Sequence, residues 1–106
     1  MNALRVTDPI PCMGWCQGEN GLEARTVLYR SVGNDIDKAN RARDLCLEQG
    51  IACECSVCSA QLLRLSEVFS HHGAMLDCRR RHDHSGAIVA AKNRGRILSE
   101  LGHTAL

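Results

Sequence analysis

Residues 34–58, NDIDKANRARDLCLEQGIACECSVC, run from a helix start into a cluster of cysteines. Asn34 or Asp35 can cap a helix over Asp35–Gln49. Ile36, Ala39, Ala42, Cys46 and Leu47 then share one face, and Asp37, Arg41, Asp44 and Glu48 share the other. Gly50 stands where a left-handed residue commonly ends a helix. The segment just after Gly50 decides the fold. Ile51–Glu54 reads as a short strand that leads directly into Cys55-Ser-Val-Cys58, so the expected order is helix, strand, cysteine knuckle.

Working outward, Val27, Leu28 and Tyr29 form a β-favouring run within residues 24–32, stopped by Gly33 and Asn34. Downstream, Ser59 can cap a helix over about 60–72 that buries Leu62, Leu65, Val68 and Phe69 and stops at Gly73. Ala74–Cys78 reads as a third strand. A final helix over Gly86–Leu101 turns Ala87, Ala91, Leu98 and Leu101 inward and Lys92, Arg96 and Glu100 outward. Strand and helix alternate three times, so the expectation is a small α/β domain of βαβαβα type over residues 22–106, stapled by zinc. The alternative is an α+β zinc module with a short hairpin. Residues 1–21 read as irregular, with Pro9, Pro11, Gly14, Gly18, Asn20 and Gly21 marking turns.

The chain has 106 residues with one Phe, one Tyr and one Trp, so its core must come from Leu, Ile, Val, Ala and Cys. A domain this small gains from an extra staple. Seven cysteines are present. An odd count, and a start (MNALRVTDPIPC) with no apolar signal-like run, point to a reducing cytoplasmic setting rather than a secreted disulfide scaffold. No stretch approaches the roughly 20 apolar residues that a membrane-spanning helix needs. The net charge of +1 conceals a split. Residues 1–78 carry seven Lys/Arg against ten Asp/Glu, and residues 79–106 carry six against two.

Cys53, Cys55 and Cys58 place three thiols within six residues, and a two-residue spacer lets two sulfurs reach one zinc ion at roughly 2.3 Å. A fourth ligand could come from Cys78, His82 or His84. Cys12 and Cys16 form a weaker pair that could complete this site or seed another. The opposing reading makes these thiols small buried hydrophobes, with Cys46 in the core. His72 falls on an apolar helix face, where a hydrogen-bonded core histidine is the ordinary outcome.

The stretch Cys55–Arg96 resembles in part the zinc-ribbon tail of TnpB-type transposon nucleases, with Asp83–Ala90 at the place of their D-x-N-A-A-x-N-I run. It departs from that pattern in lacking both asparagines and the fourth cysteine. A strand feeding C-x2-C at a helix start is also similar to the thioredoxin fold, which implies thiol–disulfide chemistry at Cys55 and Cys58. That fold places a cis-proline downstream of its thiols, whereas both prolines here precede them.

These features lead to an expected zinc-binding adaptor or regulator that contacts nucleic acid or the transcription machinery through Arg79, Arg80, Arg81, Lys92, Arg94 and Arg96, with salt-sensitive affinity. The alternatives are a zinc-stapled inhibitor or adaptor that binds one protein target, and a redox protein using Cys55 and Cys58. No Ser/His/Asp arrangement, phosphate loop or paired-carboxylate site is readable, and no small-molecule substrate is evident.

Overall fold

The computed structural model describes residue 6 and residues 19–102, with side chains at residue 6 and from residue 23 onward. It overturns the α/β expectation and the α+β alternative. Among the described residues the chain is four α-helices and no strand: α1 (Glu19–Val32), α2 (Ile36–Ala52), α3 (Ser56–Arg80) and α4 (His84–Glu100). The segments between them are only three residues long, so successive helices fold back on one another.

The expected strands within residues 24–32 and at Ala74–Cys78 are helical segments whose apolar residues also fit a period of 3.6. In α1, Arg25, Leu28 and Val32 are buried on one face, and Tyr29 beside them stacks on Phe69 with ring centroids 6.1 Å apart. The β-favouring Val27-Leu28-Tyr29 run is therefore overridden by packing that only a helix supplies. Residues 51 and 52 are the last turn of α2 rather than a strand, so no strand feeds the C-x2-C motif and the thioredoxin-like arrangement is absent. Ala74–Cys78 lies inside α3.

Two glycines read as stops lie within helices. Gly50 is buried in α2, where an added Cβ would meet the Leu63 side chain at 3.0 Å. Gly73 sits in α3 against Ala39 and Asn40 of α2, and its missing side chain lets the two helices approach closely. The expected cap holds at the start of α2, whereas Ser59, expected to cap the next helix, lies inside α3 and donates to the Gly50 carbonyl. Asp35 caps α2, accepting from the backbone N–H groups of Asp37 and Lys38 at 2.9 and 3.1 Å. Asp83 caps α4, accepting from Gly86 N–H at 3.0 Å.

The long helix α3 is the hub, packed along both α2 and α4. Its buried positions (Cys58, Leu62, Leu65, Ser66, Val68, Phe69, His72, Gly73, Met75 and Leu76) cover about half its circumference, because neighbours lie on more than one side. The main core joins Leu28, Val32, Ala39, Ala42, Cys46, Cys58, Leu62, Leu65, Val68, Phe69, Ile97 and Leu98, with Val6 from the N-terminal segment. A smaller cluster of Met75, Leu76, Ala87 and Ala90 closes the far end between α3 and α4. Leu47, expected inside, is 43 % exposed at the flank of α2. Arg25 fastens α1 to this frame: its guanidinium donates to Gln61 Oε1 of α3 and, at 3.1 Å, to the Leu101 carbonyl just after α4. Among the described residues, no helix is long and apolar enough to cross a membrane.

Candidate functional site

The expected zinc ligands fall at opposite ends of the molecule. Cys53 and Cys55 lie half-buried in the α2–α3 turn, and Cys58 is fully buried in the first turn of α3. Cys78 lies near the other end of the same helix. Twenty residues at 1.5 Å each separate Cys58 from Cys78 by about 30 Å, so they cannot share one ion. His82 and His84 belong to the Cys78 end. His82 is exposed, with a left-handed backbone (φ 58°) in the α3–α4 turn, and His84 is the exposed first residue of α4. Among the described residues, no three His, Cys, Asp or Glu side chains are gathered so as to hold a metal ion. Cys12 and Cys16 lie outside the described residues.

The six basic candidates also separate. Arg80 and Arg81 both turn to Asp77, at 2.6 and 3.0 Å, and so share one carboxylate away from the other cations. Lys92 and Arg96 project from the outer face of α4. Arg94 does not: it shares the inner face with Ala87, Ala90, Ile97 and Leu98 and is partly buried. Arg79 turns away from Asp77 toward the groove that Arg94 enters.

There the end of α1, the α1–α2 turn, α3 and α4 border an open cavity of about 320 Å³, lined by Tyr29, Arg30, Gly33, Asn34, His72, Met75, Arg79 and Arg94. Its architecture stems from local sequence. Gly33 adopts φ 58°, a conformation that costs glycine little, and so ends α1 with its carbonyl turned to α3. His72 Nε2 donates to that carbonyl at 2.6 Å. The other ring nitrogen, Nδ1, accepts from the Arg94 guanidinium at 2.9 Å, with the Tyr29 hydroxyl 3.4 Å away. Since arginine only donates, this pair of contacts assigns the neutral Nε2–H tautomer. Arg94 also reaches Met75 Sδ at 3.3 Å, while its Nε is buried with no hydrogen-bond partner among the described residues.

The electrostatics have one sign. Among the described residues no carboxylate lines the cavity. None of the ion pairs among the described residues includes Arg30, Arg79 or Arg94. Burial holds His72 below the usual histidine range; the Gly33 hydrogen bond opposes this, and the charges of Arg94 and Arg79 reinforce it. Burial pushes the Tyr29 hydroxyl up, against a smaller opposite pull from Arg94. The histidine is thus an uncharged hinge for a cation, and three arginines line one space with no counter-charge among the described residues. Such a space suits an oxyanion, which guanidinium groups bind through paired N–H donors.

Tyr29 and Arg30 were not among the residues read as functional from sequence, and His72 was read as a core histidine. Arg94 was read as functional, as one of six phosphate contacts. Its inward position is written in the spacing 87, 90, 94, 97, 101, which puts an arginine in the apolar register of α4. Comparison with protein-family models, with curated proteins and with solved structures gave no match.

Proposed function

We propose that this protein is a binding module for a phosphate-type anion, which it takes in the cavity between α1, α3 and α4. Arg30 and Arg79 supply exposed donors at the rim, and Arg94 supplies a partly desolvated one at the base. The observation that carries this reading is the meeting of three arginines around one cavity with no carboxylate among its described lining residues. Proteins seldom leave a buried guanidinium donor unpaired, because the loss costs about 1–3 kcal/mol. The buried, unpartnered Nε of Arg94 is the kind of group a bound anion would help to compensate. The expected contact of the basic C-terminal third with nucleic acid narrows, in this reading, to one phosphate seat rather than a run of six cations.

The test is calorimetric titration of sodium sulfate into the full chain at low ionic strength. Saturable one-to-one binding is expected. Arg79→Ala and Arg30→Ala should each weaken it about tenfold, the effect of losing roughly 1.4 kcal/mol of charge-assisted hydrogen bonding. Arg80→Ala and Arg81→Ala should stay within about twofold of the parent, since Asp77 already holds both side chains. Repeating the titration with a short DNA duplex and with inorganic phosphate separates polymeric from small sources of the anion. No saturation at tens of millimolar sulfate, or equal losses in all four variants, would overturn the proposal.

A further inference from the structure

The arginine cavity has a neighbour. A second hollow of about 220 Å³ lies along α4, lined by Arg79, His84, Ala87, Ile88 and Ala91. Arg79 lines both spaces, so they adjoin at this side chain. Their linings differ in kind. The first is built from hydrogen-bonding and cationic groups, whereas the second has an alanine and isoleucine floor with one imidazole at its end.

The spacing of the second lining explains its shape. His84, Ile88 and Ala91 succeed one another at intervals of four and three, which places them along one flank of α4. Ala87 and Ala91 are too small to fill the space beside Arg79, so they leave a hollow where larger side chains would close it. Ile88 stands at its edge and is 56 % exposed, one of the few large apolar side chains of the described residues left so open to water. An apolar floor adjoining an unpaired cation is complementary to a molecule with an apolar part attached to an anion.

We propose that the ligand is a small amphiphilic organic phosphate. Its phosphate sits among Arg30, Arg79 and Arg94, and a compact apolar or aromatic substituent lies over Ala87, Ile88 and Ala91. This rests on the anion reading of the first cavity and adds the class of ligand. Burial of the substituent is the source of added affinity.

The experiment compares inorganic phosphate with phenyl phosphate by calorimetry at about pH 8, where the ester is a dianion. Phenyl phosphate should bind about tenfold more tightly to the parent chain. Ala91→Leu, which fills the hollow, and Ile88→Ser, which removes its exposed edge without touching the core, should each reduce that advantage to about twofold or less. Both should leave inorganic phosphate affinity unchanged. If inorganic phosphate binds and the phenyl ester binds no more tightly, the inference falls while the anion reading stands. An advantage that survives in both variants also overturns it, because the ring then lies elsewhere. If neither compound binds, the anion reading itself has failed. Because Ile88 is exposed, Ile88→Ser keeps the comparison decisive even where Ala91→Leu perturbs helix packing.

Discussion

Replacing Arg94 by Met separates stability from binding more sharply than any other single change. The aliphatic stem of Arg94 packs on the inner face of α4 and its head reaches His72 and Met75. Methionine keeps most of that stem and brings a polarisable end group into contact with Met75. Two terms of similar size oppose each other. Loss of the charged hydrogen bond to His72 costs about 1.5–3 kcal/mol, and removal of the buried, unpartnered Nε returns about 1–3 kcal/mol. His72 is not left without a donor, because the Tyr29 hydroxyl lies 3.4 Å from the same nitrogen. Relief of repulsion among Arg30, Arg79 and Arg94 adds a little more on the favourable side. The expected outcome is a variant within about 1 kcal/mol of the parent, measured by urea unfolding with an unchanged slope.

Binding should behave differently. Sulfate at a hundred times its dissociation constant stabilises a binding-competent fold by about 2.7 kcal/mol. In a chain of this length that is a rise of about 10 °C in the midpoint of thermal unfolding. Sulfate also stabilises proteins non-specifically by exclusion from their surface, and a chain lacking Arg30, Arg79 and Arg94 together measures that background. Above that background, a tenfold weaker Arg94→Met site keeps about 1.4 kcal/mol, so the variant should lose about half of the site-specific rise or more. Loss of more than about 2 kcal/mol in the absence of sulfate would show that Arg94 is a structural pair with His72. A variant that keeps the full sulfate response would refute the placement of the anion.

The remaining predictions concern protons and thiols. His72 is held below its unfolded value of about 6.5, so the unfolded chain takes up the proton first. Its contribution is fully present above about pH 6.5, is lost as pH falls below that value, and levels off below the folded-state pKa. The groups facing it are Tyr29 and Arg30 from α1, Arg79 from its own helix and Arg94 from α4, with no acid among them. Sulfate should offset the acid loss, and a His72→Gln chain whose stability falls just as steeply from pH 7 to 5 would contradict this. Burial pushes the Cys46 thiol up to about 12, whereas Cys78 is half-buried at the end of α3. In native protein, iodoacetamide should label Cys78 and spare Cys46 until denaturant is added. Cys78→Ser should leave any bound metal in place, because Cys58 lies about 30 Å away along the helix; metal content and a thiol count check both points.

The fold was only partly legible, and the errors have a common physical source. The start of α2 could be read because Asp35 acts locally, through hydrogen bonds to residues two and three positions on, whereas Ser59 was read as a cap and lies within α3. The glycines misled, because Gly50 and Gly73 look like helix stops yet answer to a neighbouring helix. Gly50 lies under Leu63 and Gly73 against Ala39, contacts that no local window contains. Once Gly73 is read as a stop, the adjoining Ala74–Cys78 becomes available as a strand and a 25-residue helix breaks in two. The same break hides the distance between Cys58 and Cys78, which is what made a joint metal site plausible. In α1, the β preference of Val27-Leu28-Tyr29 is a weak local term set against the burial of Leu28 and Val32 and the stacking of Tyr29 on Phe69.

The candidate site was harder to read because its residues come from three helices and its logic is an exception to their patterns. An arginine at an inward position of an amphipathic helix breaks the rule that otherwise identifies α4, and was therefore read with its outward neighbours. Yet a departure from a pattern that the rest of the helix obeys is where function is most often written. Position 94 could hold leucine, as position 98 does, and the small cluster of Met75, Leu76, Ala87 and Ala90 would then extend without interruption to the main core. Arginine instead leaves one donor buried without a partner and sets a cation against a neutral histidine, at a cost in stability that leucine would avoid. The run Arg79-Arg80-Arg81 divides by the same reasoning: Asp77 engages the second and third at spacings of three and four, and the first is left to face Arg94. Charge count alone treats all three alike, whereas helical phase distinguishes the one that shares a cavity with an unpaired guanidinium.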